Sequence, residues 1–80
     1  MRAPGGSRGW ILQDRVKRTI LSSRLRKARR QLGLTEEQIA AQTGLAAQRV
    51  LDLEQGCCDM PEAEIRAVAG ALDVKIEHLL

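Results

Sequence analysis

Residues 33–56 read GLTEEQIAAQTGLAAQRVLDLEQG, and this stretch predicts two short helices joined by a tight glycine turn. Thr35 is placed to cap the first helix, and Gln38, three residues later, can bond back to it as in a capping box. Gly44 follows the last turn of that helix, where glycine adopts a left-handed backbone at the least cost. Apolar residues then recur at helical spacing up to Gly56, which ends the second helix. Helix, glycine turn and helix together are the sequence pattern of a helix-turn-helix motif.

Length and composition limit the chain to one modest domain with an aliphatic core. The 80 residues include a single aromatic side chain, Trp10, and no period-two runs of β-branched residues. We therefore expect an all-α fold rather than a sheet. No apolar run approaches the roughly 18–20 residues of a membrane span, and the one at residues 10–12 is too short for a secretory signal. We expect a soluble, cytoplasmic protein.

The net charge of +3 conceals a strong asymmetry along the chain. Residues 1–30 contain ten Arg or Lys and one acid, a net charge of +9, whereas residues 31–80 contain three bases and nine acids, a net charge of −6. A basic region attracts phosphate or an acidic protein surface, and an acidic region repels phosphate. The helix-turn-helix lies in the acidic part, which bears directly on what it can bind.

The chain is predicted to have three segments. Residues 1–9 contain three glycines, a proline and two arginines, and we expect a disordered basic tail. Residues 10–20 are predicted to form a short amphipathic basic helix or a helical extension, serving as a nucleic-acid arm, as a docking helix, or simply packing on the domain. Its apolar residues recur at steps of four: Leu12, Val16 and Ile20. Residues 21–80 are predicted to be the helix-turn-helix domain.

Five helices are predicted in residues 21–80. The first ends at Gly33, the second and third cover roughly 36–43 and 46–55, and the fourth has Pro61 in its first turn. A short final helix closes the bundle. The predicted inner-face residues are Leu21, Leu25, Ala28, Leu32, Ile39, Ala40, Leu45, Val50, Leu53, Ile65, Val68, Ala69, Leu72, Val74, Ile76, Leu79 and Leu80.

Nothing in the sequence indicates catalysis or a metal centre. Cys57 and Cys58 are adjacent, which disfavours a disulfide between them, and we interpret them as small residues of a surface turn. With His78 they fall short of the about four ligands that a zinc site needs. His78 itself is interpreted as a partly exposed surface residue rather than a catalytic base. We expect no enzymatic activity, no cofactor, no metal and no small-molecule substrate.

Residues 21–80 resemble the five-helix DNA-binding domains of the Cro and phage-repressor helix-turn-helix family, also called Xre-type. The resemblance is carried by the stretches RRQLGLT, QIAAQTGL, LEQG and VAGALDVKIEHLL. It implies a compact lambda-repressor-like bundle, here with a basic amino-terminal extension. In some members an arginine of the first helix pairs with a buried glutamate near the end of the recognition helix, and the matching residues are Arg29 and Glu54. A lone buried charge is costly, so we expect pairing; the alternative is two surface charges.

The face that binds DNA in this family departs from the pattern here. The phosphate-contacting residue at the start of helix two is Glu36, followed by Glu37, and the cap of helix three is Ala46. The loop after helix three commonly carries Lys or Arg in the family, but reads Cys57, Cys58, Asp59 and Met60 in this chain. The outward positions of the recognition helix are predicted to be Ala47, Gln48, Arg49, Leu51 and Asp52.

These substitutions predict weak binding to DNA, because phosphate contacts supply most of the sequence-independent affinity. An apolar surface rimmed by acids suits a protein contact better. Its predicted members are Ala46, Ala47, Leu51, Cys57, Cys58 and Met60. The leading hypothesis is therefore an antiactivator-like regulator that binds another transcription regulator.

The alternative hypothesis is a repressor that binds an operator as a homodimer. Gln48 can read adenine, Arg49 can read guanine, and Asp52 can accept from cytosine. The phosphate contacts would come from a basic arm composed of Arg15, Lys17, Arg18, Arg24, Arg26 and Lys27. The two hypotheses differ in whether the recognition helix keeps groups free to meet a base edge.

Overall fold

The computed structural model of the chain describes residues 9–79. Within this range the elements are β1 Ile11–Leu12, α1 Arg15–Leu32, α2 Glu36–Thr43, α3 Ala47–Gln55, β2 Met60–Pro61, α4 Glu62–Ala71 and α5 Ile76–Leu79. The predicted five-helix, helix-turn-helix bundle is confirmed, and the strand pair is an addition to it. The predicted disordered tail lies, apart from Gly9, outside the described residues, as does Leu80.

α1 is one helix of 18 residues that joins the predicted basic segment to the predicted first helix. The side chain of Asp14 caps its start by accepting from the backbone N–H of Lys17, and Gly33 ends it in a left-handed conformation. The helix predicted over residues 10–20 is therefore wrong at its beginning, where β1 lies instead.

The outward side of α1 is more apolar than the spacing predicts. Leu32, predicted to face inward, is 51% exposed. Val16 is 68% and Ile20 43% exposed, so they do not pack closely on the domain, which was one of the three roles that the sequence leaves open for their segment. Val16 and Ile20 lie roughly 100° or more around the helix from the buried Leu21. At the other end of α1, Leu34 follows the left-handed turn and packs against the core in place of Leu32.

The core is aliphatic, in keeping with the single aromatic residue of the sequence. Its buried members are Leu21, Leu25, Ile39, Val50, Leu53, Met60, Ile65, Val68, Ala69, Leu72, Ile76 and Leu79. Each fully buried large side chain contributes about 1.5–3 kcal/mol relative to an exposed one. All five helices contribute to this core, which fixes α3 against α1 and α2.

The two short strands join the segment before α1 to the loop after α3. They pair antiparallel, with Leu12 opposite Met60. The backbone N–H of Glu62 donates to the carbonyl of Trp10 at 2.8 Å, and the carboxylate of Glu62 accepts from the N–H of Trp10 at 3.3 Å. Met60 is fully buried, which corrects the prediction that it belongs to an exposed loop patch.

Candidate functional site

α3 is presented to solvent by the turn before it and anchored by its inner side. Thr35 and Gln38 form the predicted reciprocal capping box at the start of α2. Gly44 ends α2 with φ at +79°, a conformation that glycine adopts without strain. Val50 and Leu53 are fully buried, so the opposite side of α3 faces outward.

A shallow groove separates the outward side of α3 from the start of α2. It is lined by Glu36, Glu37, Ala47, Gln48 and Leu51. Ala47 and Leu51 are half-buried and form its apolar part, while Glu37 and Gln48 are exposed. The side-chain amide of Gln48 donates to Asp52 at 3.0 Å, so these two polar groups satisfy each other. No lining residue of this groove is a cation.

Arg49 does not face outward as predicted. Its Nε lies 2.6 Å from a carboxylate oxygen of Glu64, its Nη1 lies 3.2 Å from the sulfur of Cys58, and its Nη2 donates to the carbonyl of Asp59 at 3.2 Å. The hydrogen bond to Glu64 raises the pKa of Arg49 above its ordinary value, so the guanidinium stays charged. The only basic side chain of α3 is thereby held against α4 and the following loop.

Arg29 connects the three helices that build the site. Its Nε donates to Glu54 at 2.8 Å, its Nη1 donates to the carbonyl of Leu34 at 2.9 Å, and its Nη2 lies 3.2 Å from Glu36. Glu54 is 1% exposed, so the carboxylate depends on this contact. The hydrogen bond to Glu54 raises the pKa of Arg29, outweighing the lowering effect of burial. Glu36 therefore faces a cation, whereas Glu37 beside it is exposed.

The loop after α3 offers little of the apolar surface that the sequence predicts. Cys57 is exposed and Cys58 is half-buried beside Arg49. A carboxylate oxygen of Asp59 lies 3.3 Å from Nη1 of Arg18, which ties the loop to α1. Because Met60 lies in the core, only the two cysteines of the predicted loop patch reach the surface.

The basic side chains predicted to form an arm divide into two groups. Arg18 is held by the loop after α3, Arg26 donates to the backbone carbonyl of Glu54, and Arg24 donates to the carbonyl of Leu79 at 2.9 Å. These three therefore connect α1 to the rest of the fold. The members that are exposed and outside the ion pairs of residues 9–79 are Arg15, Lys17 and Lys27.

Sequence reasoning missed the contact between Arg49 and Glu64. The two residues are 15 positions apart, on different helices, and no spacing rule connects them. Over residues 9–79, no three His, Cys, Asp or Glu side chains are grouped so as to hold a metal ion. Over the same range, no helix is both long and apolar enough to cross a membrane.

α2 and α3 are joined by a glycine turn, and the outer side of α3 lies beside the start of α2. This arrangement defines a helix-turn-helix module. The sequence pattern of a family described as a helix-turn-helix domain matches residues 20–79 of the chain. The chain belongs to this family.

Two solved structures share the fold. The restriction-modification controller protein C.AhdI from Aeromonas hydrophila is 29% identical and superposes with a TM-score of 0.76, covering 81% of this chain and 98% of that chain. The clp gene regulator ClgR from C. glutamicum, 22% identical, superposes with a TM-score of 0.73 over 79% of this chain and 82% of that one. No curated protein sequence matches the chain significantly. The family match and the shared fold make this chain a helix-turn-helix domain of the Cro/Xre type.

Proposed function

We propose that this regulator acts by binding another transcription regulator through the groove between α2 and α3. The observation that carries the proposal is the groove's lining, which combines half-buried Ala47 and Leu51 with the exposed carboxylate of Glu37. The second carboxylate of the lining, that of Glu36, is paired with Arg29 behind it, and no lining residue is a cation. A helix that enters the major groove of DNA is flanked by phosphates, and acids at its edge are repelled by them. A basic helix of a protein partner with an apolar side chain at its centre fits the same surface.

The electrostatics of the recognition helix favour this reading. Arg49 would have to break its contacts with Glu64, Cys58 and the Asp59 carbonyl before it could reach a guanine. Replacing a charge-assisted hydrogen bond to Glu64 by one to a base gains little and leaves a carboxylate unpaired. Of the other polar groups of α3, Gln48 and Asp52 beside the groove already bond to each other.

The second candidate is operator binding, which the comparisons favour. The chain shares its fold and 29% identity with C.AhdI, a restriction-modification controller protein. In helix-turn-helix proteins the second helix of the motif usually lies in the major groove. On this candidate Gln48 and Asp52 read adenine and cytosine edges, and exposed Lys27 and Arg30 of α1 meet phosphates.

Affinity copurification from the native host tests whether a protein partner binds the groove. Leu51→Asp is the test variant. A carboxylate in the apolar part of the groove should remove the retained protein, because it buries an unpaired charge at the contact. Leu32→Asp is the matched control, since it places the same charge on an exposed leucine of α1. The retained protein is then purified and its affinity for the variants is measured by calorimetry.

Two further measurements make the test of the first candidate decisive. Far-ultraviolet circular dichroism tests whether Leu51→Asp is folded. If Leu51→Asp is unfolded, Glu37→Lys replaces it, because Glu37 is exposed and the substitution reverses the charge at the rim of the groove. Binding selection from a random duplex library runs in parallel with the wild-type chain. Enrichment of one duplex sequence that Gln48→Ala abolishes would establish the second candidate, and a partner bound equally by wild type and both groove variants would refute the first.

A further inference from the structure

Four of the five large apolar side chains that are exposed in residues 9–79 lie in one short segment. Trp10 is 36%, Ile11 54%, Val16 68% and Ile20 43% exposed. The fifth, Leu32, lies at the other end of α1. Scattered apolar side chains are normal on a protein surface, but a local concentration of this kind marks a contact site.

The segment that carries these four side chains borders a cavity. A cavity of about 280 Å³, open on one side, is lined by Trp10, Leu12, Lys17, Ile20 and Leu79. It forms where β1, the first turns of α1 and the end of α5 meet. None of these residues lines the groove between α2 and α3, so this apolar cavity is a second, separate surface.

Two exposed cations border the apolar cavity. Lys17 lines it and Arg15 is exposed nearby on the first turn of α1; neither takes part in an ion pair within residues 9–79. Of the acids nearby, Asp59 contacts Arg18 and Glu62 contacts Arg66 at 2.6 Å, while Asp14 accepts from the backbone N–H of Lys17. A binding partner therefore meets apolar side chains bordered by free cations.

We propose that the apolar cavity and its rim bind an acidic amphipathic helix of a protein partner. An apolar side chain of that helix enters between Trp10, Ile20 and Leu79, and its carboxylates contact Lys17 and Arg15. A helix fits because Val16 and Ile20 are one turn apart on α1 and offer a matching apolar ridge. A second copy of this chain fits less well, because a twofold contact would bring Arg15 and Lys17 of both copies together.

Trp10 is the only tryptophan of the chain, so its fluorescence reports directly on the cavity. The probe is a helical peptide of about 18 residues without aromatics, with Leu at one face and Glu and Ala elsewhere. The comparison peptide carries Lys at every Glu position. Both are titrated into the full chain, and the wavelength of Trp10 emission is followed.

The acidic peptide should shift the emission to shorter wavelength in a saturable manner, and bind at least about tenfold more tightly than the basic peptide. Ile20→Glu and Lys17→Glu should each weaken this binding by about tenfold or more. Leu32→Glu is the matched control and should bind like wild type, because it introduces the same charge on the same helix outside the cavity. If Ile20→Glu proves unfolded by circular dichroism, Val16→Glu replaces it.

Equal affinity for the two peptides, no emission shift, or equal effects of Ile20→Glu and Leu32→Glu would overturn the proposal. Light scattering of the wild-type chain decides about self-association. A monomer is expected; a dimer that Ile20→Glu dissociates and Leu32→Glu does not would assign the surface to a second copy instead. Leu51→Asp should leave the peptide affinity unchanged, which keeps this result independent of the groove between α2 and α3.

Discussion

Arg29 joins the three helices that arrange the helix-turn-helix. One guanidinium contacts Glu54 of α3, Glu36 of α2 and the carbonyl of Leu34. The side chain of Arg29 is only 12% exposed and that of Glu54 only 2%. Both charges are thus largely withdrawn from water, and each depends on the other.

Replacing Arg29 by Ala should destabilise the fold by about 3 kcal/mol, because the buried carboxylate of Glu54 loses its counter-charge. Urea unfolding followed by circular dichroism measures the change. Arg30→Ala is the matched control, since Arg30 is exposed on the same helix, and should change the free energy of unfolding by less than about 0.5 kcal/mol. A loss as small as the control's would mean that the pair is solvated.

The pH dependence of this loss follows from the sign of the pKa shift. The hydrogen bond to Glu54 raises the pKa of Arg29 in the folded state, so the contribution of Arg29 is fully present below the ordinary pKa of arginine and is lost only as the pH rises above it. Titration of Arg29 should therefore not change the difference in unfolding free energy between wild type and Arg29→Ala between about pH 6 and pH 9. Urea unfolding at several pH values in this range measures the difference.

At the scale of helix ends, α3 begins without a side-chain cap. Ala46 has the extended backbone of a cap residue, with φ −69° and ψ 147°, but no side-chain oxygen to accept from the first turn. α1 and α2, by contrast, are capped by Asp14 and Thr35. The recognition helix is thus the less well-capped member of the motif.

Ala46→Ser should stabilise the chain by about 1 kcal/mol, because the hydroxyl can accept from a free backbone N–H of α3. For a domain of this size the melting temperature should rise by about 4–8 °C. Ala41→Ser, at an exposed position inside α2, serves as the control and should lower the melting temperature slightly. A rise of the same size in both variants would exclude capping as the cause.

The glycines that end α1 and α3 have the same backbone conformation in different surroundings. Gly33 has φ +70°, and a Cβ added there would have no neighbour within 4 Å. At Gly56 a Cβ would lie 2.6 Å from Oγ of Ser22 and 3.1 Å from the carbonyl of Arg18. The Ser22 hydroxyl cannot yield easily, because it is buried and its Oγ lies within hydrogen-bond distance of two carbonyls, at 2.7 Å from that of Arg18 and 2.8 Å from that of Leu53.

Gly33→Ala should therefore cost only the left-handed backbone penalty, about 1–2 kcal/mol. Gly56→Ala should cost about 1–3 kcal/mol more, because the close packing of α3 on α1 must also open. Chemical denaturation of both variants gives the difference directly. Equal losses would show that α3 can move away from α1 without penalty.

At the scale of the whole molecule, the charge asymmetry predicts how the chain meets a polyanion. The exposed cations of α1 attract any duplex, while the acids beside α3 repel it. We expect random duplex DNA to bind only at low salt, with a Kd weaker than about 10 μM at physiological salt. Anisotropy titrations at several salt concentrations measure this.

The double variant Lys27→Gln, Arg30→Gln removes two positive charges and should make binding less dependent on salt. The slope of the logarithm of the binding constant against the logarithm of the salt concentration should become less negative by about 0.9 for each phosphate contact that is lost. Gln48→Ala should leave the affinity for random duplex unchanged, because it removes no charge. Nanomolar binding at physiological salt, weakened by Gln48→Ala, would instead favour operator recognition.

Features with a local chemical cause were predictable from the sequence. The capping box at Thr35 and the left-handed turns at Gly33 and Gly44 depend on residues within a few positions of each other, and all are present. The pairing of two-residue strands leaves no periodic signal, so β1, β2 and the burial of Met60 were missed. The orientation of Arg49 depends on Glu64 across a loop, which helical spacing within α3 cannot report.

Trp10 and Leu79 line the same cavity although they lie at opposite ends of the described chain. A module joined directly before Trp10 or directly after Leu79 therefore starts beside that opening. A tag at either of these two positions obstructs the opening and should be cleaved before ligands are assayed there. The same geometry lets a dye attached beside Trp10 or Leu79 serve as a proximity sensor for an occupant.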